Sequence, residues 1–164
     1  MIEFVLKNRK FRLHPDGIMY VRAHWGGSET KTEKWKEVKY CKTKDGYNQI
    51  SVTLEGVSKN IKHHRIIYYA HNQDWNIFDT STDNSIDHIN RDKTDNRIEN
   101  LRNVTHQQNG FNTTCKGCSW NKHSGKWVAY IKTNGKARHL GSFKTEEEAH
   151  NAYLEAKNTY HIIE

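Results

Sequence analysis

Asp87 and His88 stand side by side in the middle of this chain, and Asn100 and Asn109 follow His88 at distances of 12 and 21 residues. A carboxylate and a carboxamide that converge on one point suit a hard divalent cation such as Mg²⁺, which prefers oxygen ligands and keeps several waters. A neighbouring imidazole, His88, can take a proton from an attacking water. Asn100, on the far side of the intervening loop, can fix the tautomer of that imidazole through its amide oxygen. These parts suffice to hydrolyse a phosphodiester, with the metal stabilising the developing charge and the leaving oxygen. Residue types alone leave a second reading open: a polar hairpin with asparagines at its turns and one surface histidine.

The elements that must position these residues can be read from the same stretch, "SIDHINRDKTDNRIENLRNVTHQQN", residues 85–109. Ser85 to His88 reads as the end of a strand, "NRDKTDN" as a turn-rich loop and "LRNVT" as a returning strand. Thr105 with Gln108 three residues later forms a capping box, so a helix is expected to start there. The order strand, loop, strand, helix brings Asp87 and His88 toward the first helical turn, which carries Asn109. Upstream, residues 1–62 read as short strands. "KFRLHPDGIMYVRAHWGG" has a Pro-Asp-Gly turn between two strand-like runs, and "KTKDGYNQISVTLEG" turns at Asp45-Gly46. Ile50, Val52 and Leu54 alternate with polar neighbours, the period of a half-buried strand. "HHRIIYYAHN", 63–72, predicts one or two helical turns, and 72–85 predicts irregular chain.

The residues of this stretch resemble the His-Asn-His (HNH) motif of phage and intron-encoded homing endonucleases. "IDHINRDKTDNRIENLRNVTHQQN" is similar to their ββα-metal core nearly throughout, and His64-Arg65 match an "HRL" helix that precedes it. The resemblance covers roughly residues 40–112. Carried over by position, it implies Asp87 and Asn109 as metal ligands, His88 as general base and Asn100 as its orienting partner. Many nucleases of this class have a metal-binding His at the third motif position, where this chain has Asn109. His106, one helical turn earlier, is the weaker alternative ligand. The cofactor implied is one divalent cation, Mg²⁺ or Mn²⁺.

From residue 113 the pattern changes. Residues 113–144 contain seven Lys or Arg and no Asp or Glu, and three strand candidates are separated by Ser124-Gly125 and Asn134-Gly135. Thr145 and Glu148 then form a second capping box, and Ala149, Ala152, Tyr153, Ala156 and Tyr160 make an apolar stripe on the helix that follows. A wholly basic small sheet backed by a helix suits nucleic acid; a solvated basic face is the alternative. Gly117, Trp127, Ala129, Ile131, "LGSF" and "EEAHNAY" resemble the Apetala/ethylene-response-factor DNA-binding domain. That family lays a three-stranded sheet into the major groove. Alternation turns Trp127, Ala129 and Ile131 toward the helix and Val128, Tyr130 and Lys132 outward; the resemblance implies Lys116, Ser119, Asn121 and His139 at other DNA-facing positions, with Lys122 and Arg138 adding charge. This chain has fewer arginines than the plant domains at those positions. Cys115-Lys-Gly-Cys118 lacks two further nearby ligands, so buried thiols are expected in preference to zinc.

The expected fold is therefore α+β: a β-rich nuclease domain over 1–112, and over 113–164 a three-stranded antiparallel sheet packed on one helix. Composition agrees with both parts. The 164 residues carry 26 Lys+Arg against 19 Asp+Glu, a formal charge of +7 that suits a polyanion. Mean hydropathy is −1.01, and no apolar run nears membrane-spanning length. Three cysteines make a poor disulfide framework, and the start lacks the pattern of a secretory signal, so a reducing cytoplasm is expected; the resemblance to phage homing endonucleases implies a phage-encoded protein in the host cell. The partner expected is double-stranded DNA, with no membrane, and the chain acting as monomer or homodimer. A regulator with an inactive nuclease core and an RNA-binding module are the rival readings.

Overall fold

Phe4 and Leu6 point the same way as Phe11 and Leu13, because each strand sends every second side chain to one face. In the computed structural model, which describes residues 1–22 and 34–163, these four residues begin the core of the first of two compact units. The units are Met1–Asn103 and Val104–Glu164. Among the described residues no helix is long and apolar enough to cross a membrane.

The first unit opens with an antiparallel sheet of β1 (Ile2–Leu6), β2 (Arg9–Leu13), β3 (Met19–Arg22) and β4 (Trp35–Glu37), in that order. The Pro-Asp-Gly turn joins β2 to β3 as expected, with Gly17 at φ +86° and its N–H donating to the His14 carbonyl. The last part of that segment, residues 23–27, lies outside the described residues. A second sheet comprises β5 (Cys41–Lys42), β6 (Asn48–Leu54) and β7 (Val57–Lys62). Ile50, Val52 and Leu54 are buried and the residues between them exposed. Helix α1 (His63–His71) has nine residues, somewhat longer than its sequence suggested, and buries Ile66, Ile67 and Ala70 in the core. Residues 72–84 are irregular. The Arg65 guanidinium holds them to α1, donating to the carbonyls of Ile77, Asp79 and Asn84 at 2.7–3.0 Å while lying 4.6 Å from the Trp75 ring. This clamp delivers the chain to β8 (Ser85–His88), which pairs with β9 (Leu101–Val104) across a long loop.

The second unit begins where β9 ends. Thr105 caps α2 (His106–Phe111): its hydroxyl accepts from Gln108 N–H, and the Gln108 side chain accepts from Thr105 N–H. Gln107 reaches Asn134 at 3.1 Å, and Phe111 stacks on His161 with centroids 3.9 Å apart. Then come β10 (Cys118–Asn121), β11 (Lys126–Thr133) and β12 (Lys136–Phe143), an antiparallel sheet in sequence order. Helix α3 (Glu146–Tyr160) packs on it, burying Ala149 and Tyr153. The capping box at Thr145 forms, and three glutamates in the first turn complement the positive helix end. Cys115 Sγ lies 3.1 Å from the Tyr153 hydroxyl, and the Cys118 thiol donates weakly to the Glu146 carbonyl. Cys115 is nevertheless exposed and Cys118 half-buried, which departs from the expectation that both thiols are buried.

Gly117 is the point on which α3 closes. Its φ is +64°, and a Cβ there would sit 2.0 Å from the Tyr153 ring. Gly117→Ala should therefore destabilise the second unit by at least about 2 kcal/mol, from left-handed strain and overpacking together. Thermal unfolding of the full chain checks this; an unchanged transition would mean that Tyr153 does not lie on Gly117.

Candidate active site

The asparagines of the opening stretch divide into two jobs. Most of them build the loop between β8 and β9. Asn90 Oδ1 accepts from Asp92 N–H at 2.8 Å and from the Asn100 amide at 2.9 Å, while its own amide donates to Asp95 Oδ2. Asn100 Oδ1 accepts from Asn90 N–H at 3.0 Å, and Asn100 Nδ2 also donates to the Asp95 carbonyl at 2.8 Å. Asp92 and Asp95 each fold over a following residue. Thr94 donates through N–H and hydroxyl to Asp92, and Arg97 donates through its guanidinium to Asp95, holding both carboxyls below the usual range. Backbone bonds close the frame: Ile89 N–H to the Asn100 carbonyl and Arg91 N–H to the His88 carbonyl. Arg91 adopts φ +66° to make that turn.

Asn96 has the second job. Its Oδ1 lies 2.9 Å from Nε2 of His88, and its Nδ2 lies 3.3 Å from Nδ1 of His63. The sequence reading gave the contact with the imidazole to Asn100. The structure commits Asn100's amide oxygen to the Asn90 backbone and puts Asn96 against the ring. Asn100 thus supports His88 through the frame of the loop.

His88 is 4% exposed and Asp87 7%, both at the end of β8. Arg102, on the facing strand β9, donates from Nε and Nη2 to Asp87 Oδ2 at 3.0 and 2.8 Å. The His64 ring stands edge-on to His88, centroids 5.0 Å apart, and Tyr47 approaches both rings at 5.1 and 6.0 Å. Lys62 and Lys93 carry their ammonium groups over the Tyr47 ring at 4.1 and 4.8 Å. Sequence inspection missed Asn96, His63, Tyr47, Lys62, Lys93 and Arg102. For Arg102 a signal existed, since it faces Asp87 across a strand pair that the sequence did suggest. Asn109 stands half-buried on α2 in the second unit, and His106 opens that helix exposed. No group of three His, Cys, Asp or Glu side chains with metal-holding spacing occurs among the described residues.

In the basic sheet, residues directly opposite in antiparallel strands share a face. Tyr130 pairs with His139, and Lys132, Ser119, Asn121 and Lys126 lie on that same face. Val128 shares it but is only 4% exposed, contrary to its expected outward presentation. It sits on the central strand in register between Ser119 and Ser142, with a neighbouring strand on either side. Arg138 pairs with buried Ile131, and its guanidinium lies 5.1 Å over Tyr160 of α3, on the helix side of the sheet. Lys116 forms an ion pair with Glu146 at 2.6 Å. Lys122 lies in the turn that Asn121 builds by accepting from His123 and Ser124 N–H.

Two buried imidazoles beside His88 give the first unit a pH signature. Burial pushes His63 down to about 4 and His64 to about 3; the neighbouring His88, Lys62 and Arg65 lower His64 further. Both groups sit below their ordinary value of 6.5, so the unfolded chain takes up these protons first. Their contribution to stability is complete above pH 6.5 and is lost as pH falls toward 4 and then 3. Each proton adds a slope of up to about 1.4 kcal/mol per pH unit. Denaturant unfolding between pH 7 and 4 should show this slope, and His64→Gln should remove about half of it. Equal slopes for the two proteins would mean that His64 is not held neutral.

A family model described as HNH endonuclease matches residues 81–111. No curated protein matches the chain. A solved structure described as "DNA binding and cleavage by the HNH homing endonuclease I-HmuI" is similar to it at 22% sequence identity and a TM-score of 0.44, covering 80% of this chain and 70% of that one. The span of the family match runs from the end of the Arg65-clamped segment through β8, the asparagine loop and β9 to the end of α2.

Proposed function

We propose that this protein is a metal-dependent HNH DNA endonuclease, a phage homing endonuclease that nicks or cleaves duplex DNA at a long recognition site. The observation that carries the reading is the coincidence of two facts. The stretch matched by the HNH endonuclease model is also the stretch that buries a carboxylate and an imidazole side by side at one strand end. A solvated polar hairpin would leave both exposed.

The chain's donors fit a hard divalent cation. Asp87 supplies a charged oxygen and Asn109 a neutral one, and with so few protein ligands the rest of the shell falls to water and phosphate, the habit of Mg²⁺. Mg²⁺ or Mn²⁺ held by Asp87 and Asn109 would neutralise charge on the scissile phosphate and on the oxygen that leaves. His88 takes the proton of the attacking water. Asn96 holds its ring, and Asn100 holds the loop that presents Asn96. Lys62 and Lys93 add positive charge beside Tyr47 for the DNA backbone. Residues 113–164 act as the DNA reader, with Ser119, Asn121, Tyr130, Lys132 and His139 on one sheet face and Lys116 and Lys122 supplying charge beside it, while Arg138 is turned to the helix side. One catalytic set per chain nicks one strand as a monomer, and a homodimer cuts both.

Supercoiled plasmid carrying the recognition site, incubated with the full chain and Mg²⁺, should be nicked or linearised, and a chelator should stop the reaction. His88→Ala should reduce the rate by roughly 10²–10⁴-fold with little change in DNA affinity. Binding without cleavage under every metal condition would favour the regulator with an inactive core. Full cleavage by His88→Ala would remove His88 from the chemistry.

A further inference from the structure

His63 lies outside residues 81–111, which the HNH endonuclease model matches, yet it is connected to His88 through one side chain. It opens α1, is 6% exposed, and rests against Tyr40 with ring centroids 4.1 Å apart. Among the described residues its Nε2 is buried without a hydrogen-bond partner, and the ring's one polar connection there is Nδ1 to Asn96. Asn96 then touches His88 with the other end of the same amide. An amide is a donor at one end and an acceptor at the other, and it can exchange the two only by turning over.

That constraint couples the two imidazoles. When Asn96 donates to Nδ1 of His63, its oxygen must accept from Nε2–H of His88, and both neutral rings carry their proton on Nε2. When the amide turns over, both rings carry the proton on Nδ1 instead. Mixed states set two donors or two lone pairs against one end of the amide. The consequence for chemistry is direct, because only the first arrangement leaves the lone pair of neutral His88 on Nδ1. The second uses the Nε2 lone pair as an acceptor from Asn96.

We propose that His63 is a positioning residue which, through the amide of Asn96, sets His88 in the Nε2–H tautomer and so makes Nδ1 its basic nitrogen. The structure supports this arrangement by the way the Asn96 amide is turned. The 2.9 Å approach of Oδ1 to Nε2 is the usual length of an N–H···O bond, and Nδ2 is the atom turned to His63. The role of His88 as base rests on the nuclease reading; the coupling of the tautomers does not.

The test is long-range ¹H–¹⁵N correlation of the imidazoles in the full chain, without DNA or metal, at a pH where both rings are neutral. Wild type should show His63 and His88 both protonated at Nε2. Asn96→Asp, whose carboxylate still accepts from His88, should keep His88 at Nε2–H. Asn96→Ala and His63→Phe should turn its signal into a mixture. In single-turnover cleavage, His63→Phe should lower the rate roughly 10- to 100-fold with unchanged KM, and His63→Gln, which retains an acceptor, should recover most of it. The proposal is overturned if His88 carries its proton on Nδ1, if the two wild-type histidines differ in tautomer, or if His63→Phe leaves the His88 signal single. The wild-type spectrum alone decides the first two, so a variant that fails to fold does not protect the idea. A wild type that cuts no DNA would overturn the nuclease reading and leave the tautomer result to be judged by itself.

Discussion

The reciprocal pair of amides, Asn90 and Asn100, with Asp95 beneath them, is the contact on which the candidate site depends. The two strands it bridges have four residues each, too few for a two-stranded sheet to hold itself in water. The loop between them runs through twelve residues, a length at which a chain without its own structure is normally slack. Here each side-chain amide replaces a missing backbone partner, so the loop carries its own hydrogen-bond ladder. Asn100 is 7% exposed, and leaving its own buried amide unpaired would cost about 1–3 kcal/mol. Remove this frame and Asn96 has no fixed position from which to meet His88.

The rest of the first unit is arranged around the same few ångströms. The hydrophobic core supplies a rigid wall, with Ile86 and Leu101 tying the short strands to Ile66 and Ile67 of α1. Against that wall the chain buries Asp87, His88, His63 and His64, polar groups that a purely structural hairpin would leave in water. Neutralising His63 and His64 lowers stability in acid, and the ion pair from Arg102 meets the charge of Asp87. An interior built this way sacrifices stability to hold specific polar atoms, the pattern expected where a site has been placed.

Local signals made much of this legible in the sequence. The alternation in β6, the Pro-Asp-Gly and Asp45-Gly46 turns and both capping boxes act over two to four residues, and each appears in the structure at its expected place. The position of Asp87 and His88 at a strand end followed from the same reasoning. What could not be read was which asparagine meets which partner. Asn90, Asn96 and Asn100 are chemically identical, and only the folded loop decides that two of them face each other while the third faces a ring. His63 reaches Asn96 across 33 residues, a separation at which spacing carries no signal. Arg138 was read as one more positive charge; its register opposite Ile131 turns it toward Tyr160.

The central claim is that the amide frame works by placing His88. A double-mutant cycle between Asn100→Ala and His88→Ala, read by single-turnover cleavage of duplex DNA in Mg²⁺, addresses it directly. Groups that act as one unit give strongly non-additive losses. Asn100→Ala should slow wild type by at least tenfold and should cost almost nothing once His88 is already alanine. An equal loss in both backgrounds would contradict the account, because Asn100 would then serve the reaction by a route that does not pass through His88.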